Sequence, residues 1–188
     1  SEPAEQAAYT DEPTAADAGD ENTNTDGYIL HIDKINTNSE RLSEAQKAAV
    51  EAYAGEVNTD SDGNKAIDYF DIYWTDENGN RVELLKREDI DLSKLKIQIE
   101  YQNDNVLAGG VNSKLLVLPL SKLTGGTDGS YAFSENPELE ITELLKNDSG
   151  FKSASFLATA DGPYALVSVM NSSTTAEVTY THKYTTTK

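Results

Sequence analysis

Apolar positions along this chain recur mainly with a period of two. The clearest run is Ile67-Asp68-Tyr69-Phe70-Asp71-Ile72-Tyr73-Trp74. In an extended chain Phe70, Ile72 and Trp74 share one face, while Tyr69, Asp71 and Tyr73 share the other. Aromatic and β-branched residues suit a strand, and the first set, which holds the only Trp, reads as a core face. Asn78-Gly79 offers the positive φ angles of a two-residue hairpin turn, so Arg81 to Leu85 is expected to return as a second strand. Leu95, Ile97, Ile99 and Tyr101 alternate with polar residues, the pattern of a half-buried antiparallel strand.

Further strands are expected over Tyr28–Ile35 and Ser130–Phe133, and over the apolar run Leu115–Leu120, where Pro119 marks an edge or a strand end. Ser153–Thr159 and Tyr164–Met170 read as a strand pair joined through Ala160-Asp161-Gly162-Pro163, and Glu177–Tyr184 as a last strand or an extension. Leu139–Lys146 fits a strand or a helical turn equally. One stretch has helical spacing. Leu42–Ala54 carries Ala45, Ala48, Ala49, Ala52 and Tyr53 as a mild apolar stripe, with Ser43 and Gln46 spaced as a capping box and Gly55 placed to end it. Many short strands with one helix predict a mainly β chain, an antiparallel immunoglobulin-like (Ig-like) β-sandwich with one short helix. A parallel α/β fold would need helices between successive strands.

Composition then divides the chain. Residues 1–26 hold eight acidic residues and no Lys or Arg, out of a net charge of -18. They read as an acidic disordered spacer, with too little apolar surface to offset the entropy of ordering. Residues 27–184 form the expected sandwich domain, and 185–188 a Thr-rich linker stub. An acidic surface repels phosphate backbones and anionic membrane surfaces, which argues against nucleic-acid partners. No run of about 18 apolar residues is present to span a membrane. The chain has no Cys, which removes disulfides, thiolate metal sites and thiol nucleophiles. The start at Ser1-Glu2-Pro3-Ala4 reads as a mature end left after signal removal.

Candidate chemistry is sparse. Asn58, Asp60, Asp62 and Asn64, with Gly63, resemble the front half of a calcium loop, and Asp68 is the nearest carboxylate to the missing bidentate position. Calcium is therefore the one cofactor considered, against the plainer reading of a polar turn. Tyr69, Asp71 and Tyr73, if exposed, could stack on and hydrogen-bond a sugar, against the plainer reading of aromatic packing or burial under the helix. His31 and Asp33 share a strand face, but a metal site wants three or four ligands. Lys34, Asn171 and Asp68 or Asp71 have the chain order of an internal isopeptide bond, and order alone speaks for it. No catalytic constellation stands out, so no catalytic residues are assigned and a non-enzymatic protein is expected.

Two stretches carry a resemblance. Tyr69-Phe70-Asp71-Ile72-Tyr73-Trp74-Thr75-Asp76-Glu77-Asn78-Gly79-Asn80-Arg81-Val82-Glu83 resembles the hairpin of modules in large exported surface proteins of Gram-positive bacteria. Ser155 to Val167 is similar to the closing hairpin of those modules, with Asp161-Gly162-Pro163 where the family has Phe-Ser. The resemblance implies a secreted or cell-surface module, extracellular and adhesin-like. Its role would be structural or adhesive, or the binding of a cell-surface protein or glycan, and the resemblance carries over no catalytic residues.

Overall fold

The run around Trp74 forms an inner strand of the largest of three antiparallel sheets, in a computed structural model that describes residues 25, 27–133 and 135–171. The described elements are β1 (Ile29–Ile35), α1 (Glu44–Ala54), β2 (Ile67–Thr75), β3 (Arg81–Val82), β4 (Lys96–Glu100), β5 (Leu107–Ala108), β6 (Ser113–Pro119), β7 (Leu123–Gly125), β8 (Tyr131–Phe133), β9 (Ile141–Lys146), β10 (Gly150–Leu157) and β11 (Gly162–Met170). Among the described residues the chain is mainly β, with antiparallel sheets, one α-helix and short 3₁₀ turns. The expected spacer, the strand Glu177–Tyr184 and the stub 185–188 lie outside the described residues, apart from Thr25.

The large sheet runs in the order β1-β2-β11-β6, with β3 also on β2. The second sheet runs β4-β10-β5, with β9 on β10. Their facing sides share one core. Leu30, Ile32, Phe70, Ile72 and Trp74 from the first sheet meet Ile97, Ile99, Ala154 and Phe156 from the second, the sandwich arrangement expected of alternating strands. A third layer covers the other face of the large sheet. Val50 of α1 and Leu42 before it pack on Ile35, Ile67, Tyr69, Leu116, Leu118, Ala165 and Val167, with Phe133 of the β7–β8 hairpin alongside. The large sheet is thus covered on both faces over much of its area, which is why β6 and β11 are apolar at nearly every position.

Local structure follows local chemistry. Ser43 caps α1 in the expected capping box with Gln46, and Gly55 ends it at φ 80°. The buried stripe is narrower than the Ala spacing suggested and centres on Ala49 and Val50. The turn after β2 is not a two-residue hairpin. Asp76 N–H donates to Asn80 O and Gly79 N–H to Asp76 O, and Gly79 sits at φ 83°. Those bonds describe a type I turn followed by a left-handed glycine bulge, stabilised by the Asp76 carboxylate accepting from Asn78 and Asn80 N–H at 2.9 Å each. The return strand stops at Val82, and Leu84–Lys86 forms a 3₁₀ turn that buries Leu84 and Leu85.

The expected closing hairpin is an arch instead. β10 and β11 belong to different sheets. The chain crosses between them at residues 158–161, and Tyr164 holds the crossing. Its hydroxyl accepts from Thr159 N–H (3.2 Å) and Ala160 N–H (3.1 Å) and donates to Ala160 O (2.6 Å). Leu139–Lys146 resolves as strand β9 from Ile141 onward.

Candidate functional site

Three polar regions hold the described residues singled out from the sequence as candidate ligand- or metal-binding chemistry. The first lies on the outer face of β1 and β2. Register places His31 opposite Tyr73 and Asp33 opposite Asp71. The Tyr73 ring stacks on His31 with centroids 4.8 Å apart and 9° between planes. The Arg81 guanidinium lies 4.3 Å from the centre of the same ring. Tyr73 donates its hydroxyl to Asp33 at 2.8 Å, and burial together with that carboxylate pushes the phenol up to about 12. His31 Nε2 meets Thr75 Oγ1 at 2.8 Å.

Asp71 is the hub of this region. It is 3% exposed, and Arg81 grips it with a fork of 3.0 and 3.1 Å. Arg41, from the turn before α1, bonds the same carboxylate. A buried carboxylate needs such partners. The expectation of a sugar-stacking face at Tyr69, Asp71 and Tyr73 is therefore corrected. Tyr69 is 2% exposed beneath the third layer, Asp71 is fully engaged by arginines, and only Tyr73 keeps partial access. Burial and then Glu51 raise the Tyr69 phenol, whose hydroxyl meets no hydrogen-bond partner among the described residues.

The second region is the loop read as half a calcium site, and the structure does not assemble one. Asp60 Oδ1 accepts Asp62 and Asn64 N–H at 2.9 Å each. Asp60 N–H donates to Asn64 O, and Gly63 N–H to Asp60 O, with Gly63 at φ 85°. This is the turn of Asp76–Asn80 again. The bonds from Asn64, Asp62 and Gly63 hold the Asp60 carboxyl below its usual range. Asn58 points the other way, its amide donating to Ser113 and Ser168 Oγ at 2.8 Å each. Asp68 is taken by Lys34 at 3.6 Å and by the Tyr101 hydroxyl. Among the described residues no group of three or more His, Asp or Glu gathers as a metal site.

The third region escaped sequence reasoning. A cleft of about 880 Å³ opens where α1, the 60–65 turn and the loop before β5 meet the ends of β1 and β2. Asn36, Asn64, Asn105 and Lys47 line it, together with Lys34, Asp68 and Tyr101. Its lysines are paired: Lys47 with Glu44 at 2.9 Å and Lys65 with Glu51 at 2.5 Å, besides Lys34 with Asp68. Tyr101 is buried, and its phenol is raised well above the ordinary value by burial and then by Asp68. Of the proposed isopeptide partners, Lys34 does meet Asp68, but Asn171 lies four residues beyond the last β11–β2 pair, Val167 with Ile67. Its N–H bonds Asn112 O instead.

Arginine choice was the available signal for the first region. The chain has three Arg, at 41, 81 and 87, among 15 basic residues. Arg81 and Arg87 each make a carboxylate fork, to Asp71 and Asp89, and Arg41 adds its bond to Asp71. A planar guanidinium suits a fork where an ammonium does not. Compared with protein-family models, curated proteins and solved structures, the chain matches none.

Proposed function

We propose that this chain is a non-enzymatic structural module of an exported cell-surface protein, one that spaces or presents neighbouring domains. The supporting observation is where the chain enters and leaves the large sheet. β1 starts at Ile29, opposite Thr75, and β11 runs past Val167, opposite Ile67, to Met170. Both strands run antiparallel to β2, so the chain arrives at one end of the sheet and departs at the other. At about 3.3 Å per residue the two points are roughly 35 Å apart along the strands. A module with ends so placed extends a chain of domains rather than folding it back. The surface setting comes from the resemblance of the Tyr69–Glu83 segment.

The test is a replacement in the parent protein. An unrelated β domain of matched span should leave antibody labelling of the neighbouring domains on intact cells unchanged, while deletion reduces it. A span-matched replacement that fails as the deletion does would overturn the reading.

The cleft favours a second reading, a binding module for a glycan or a cell-surface protein. Its volume falls in the range of about 300–1,000 Å³ usual for ligand pockets, and its lining of amides and paired charges suits a neutral polar ligand. Chemical-shift mapping against a panel of neutral oligosaccharides checks this. Shifts confined to Asn36, Asn64 and Asn105 support it, and their absence excludes neutral glycans from this cleft.

A further inference from the structure

We infer that β1, β2 and β11 form a shear clamp that bears tension along the chain, and that its first point of failure is the β1–β2 seam. The inference rests on the structural-module reading above and adds a mechanical task to it. β1 and β11 flank β2 and run in the same direction as each other. Tension on the two ends draws β1 toward the Thr75 end of β2 and β11 toward its Ile67 end. Ladder hydrogen bonds lie across the strands in an antiparallel pair. Such a pull therefore loads the bonds of each ladder together instead of opening them one at a time.

The two ladders are not equally strong. β11 is held on both edges, by β2 from Gly162 to Val167 and by β6 from Tyr164 to Met170. Among the described residues β1 is an edge strand held by β2 alone, from Ile29 to Ile35. A slip of one residue would also turn Leu30 and Ile32 out of the core. The seam thus yields by detachment of β1, and its ties decide how much tension that takes.

Those ties slant in opposite senses. Lys34 stands opposite Phe70, and its partner Asp68 lies two residues further toward the Ile67 end. Movement of β1 toward Thr75 therefore lengthens the Lys34–Asp68 pair. Asp68 is anchored in turn by Tyr101, which packs in the core shared with the second sheet. Tyr73 stands opposite His31, and Asp33 lies toward the Ile67 end of it, so the same movement brings Asp33 nearer to Tyr73. His31 likewise moves toward Thr75. The partly buried Lys34–Asp68 pair is thus a tension-bearing tie, whereas the more conspicuous His31–Tyr73–Asp33 group serves stability without opposing the pull.

Single-molecule force spectroscopy on the full chain tests this. With handles at the two chain ends the unfolding force should exceed that measured with handles at the exposed Thr37 (Thr37→Cys) and the C-terminal end, a geometry that peels β1 from one end. Lys34→Met should lower the end-to-end unfolding force. Tyr73→Phe should lower equilibrium stability in urea while the end-to-end force falls less than for Lys34→Met. Equal forces in the two geometries would overturn the clamp, whereas the spacer role stands or falls with the span-matched replacement alone. A Tyr73→Phe loss of force as large as that of Lys34→Met would overturn the assignment of the tie.

Discussion

Asp33 and Asp71 stand directly opposite one another on neighbouring strands. Like charges in that position destabilise a sheet. Here each carboxylate is answered separately: Asp33 by the Tyr73 hydroxyl, Asp71 by Arg81 and Arg41. The energetic weight falls on Asp71, because its side chain is 4% exposed whereas the two arginines are nearly half exposed. Arg81→Met leaves Arg41 in place and should cost about 1.5–3 kcal/mol, the range for hydrogen bonds to a charged group. Removing both arginines strands a buried charge and should cost about 3–5 kcal/mol. Urea denaturation of the two variants checks this, and a double variant no worse than the single one would refute the shared-hub arrangement.

Tyr164 fixes the passage between the two sheets. Its hydroxyl bonds with the N–H groups of Thr159 and Ala160 and with the carbonyl of Ala160. Tyr164→Phe keeps the ring in the core and removes those bonds. The expected loss is about 1–3 kcal/mol, with amide exchange at Thr159 and Ala160 accelerated more than exchange within β10. Unchanged exchange at those two amides would show that the crossing is held by packing alone.

The alternating strands were legible because one face of each is apolar: Leu95, Ile97, Ile99 and Tyr101 are all buried as their spacing required. The burial of Tyr69 and Asp71 was not legible from β2 alone, since strict alternation suggests one dry and one wet face. The corrective signal lay elsewhere, in β11, where Ala165 and Val167 face the third layer while Tyr164 and Leu166 face the sandwich core. A strand apolar at both parities implies a sheet covered on both sides, and its neighbour β2 shares that cover. The β10–β11 arch was hidden because a strand that turns back and one that crosses to another sheet share the same local pattern. The cleft had no local signature at all, being assembled from segments between Lys34 and Ala108.

Glycines at two positions separate contact from conformation. A Cβ on Gly150 would stand 2.1 Å from the Leu107 carbonyl oxygen, a backbone atom that cannot swing aside. Gly79 has open space around it and only its φ of 83° to protect. Gly150→Ala should therefore cost about 3 kcal/mol or more, as overpacking against fixed atoms does. Gly79→Ala should cost about 1–2 kcal/mol of conformational strain. Melting temperatures would order the two, and a reversed order would contradict the tight β5–β10 approach.

Calcium should not stabilise the protein through the Asn58–Asn64 loop. The Asp60 carboxylate already accepts two backbone N–H groups, the Asn58 amide is spent on Ser113 and Ser168, and Asp68 is paired with Lys34. Assembling a site would break these bonds before any ligand was gained. Addition of calcium at about 1 mM, the weak end of extracellular sites, to chelator-treated protein should leave the melting temperature unchanged. A rise that disappears on Asp60→Ala would overturn this.

Asp161 gives the protein a pH dependence of defined sign. Its Oδ2 accepts Leu85 N–H at 3.1 Å, while its Oδ1 is buried with no hydrogen-bond partner among the described residues. Burial raises the carboxyl above its ordinary 3.8, against the opposing bond from Leu85. Between 3.8 and that raised value the folded chain holds a proton that the unfolded chain releases. The unfolding free energy therefore falls as pH climbs through this window. Asp161→Asn keeps an acceptor for Leu85 and abolishes the titration. The variant should gain on the wild type between pH values below 3.8 and neutrality, in paired urea denaturations at each pH. A stability difference that does not vary with pH would mean that Asp161 carries no raised carboxyl, and that Arg81 compensates it fully.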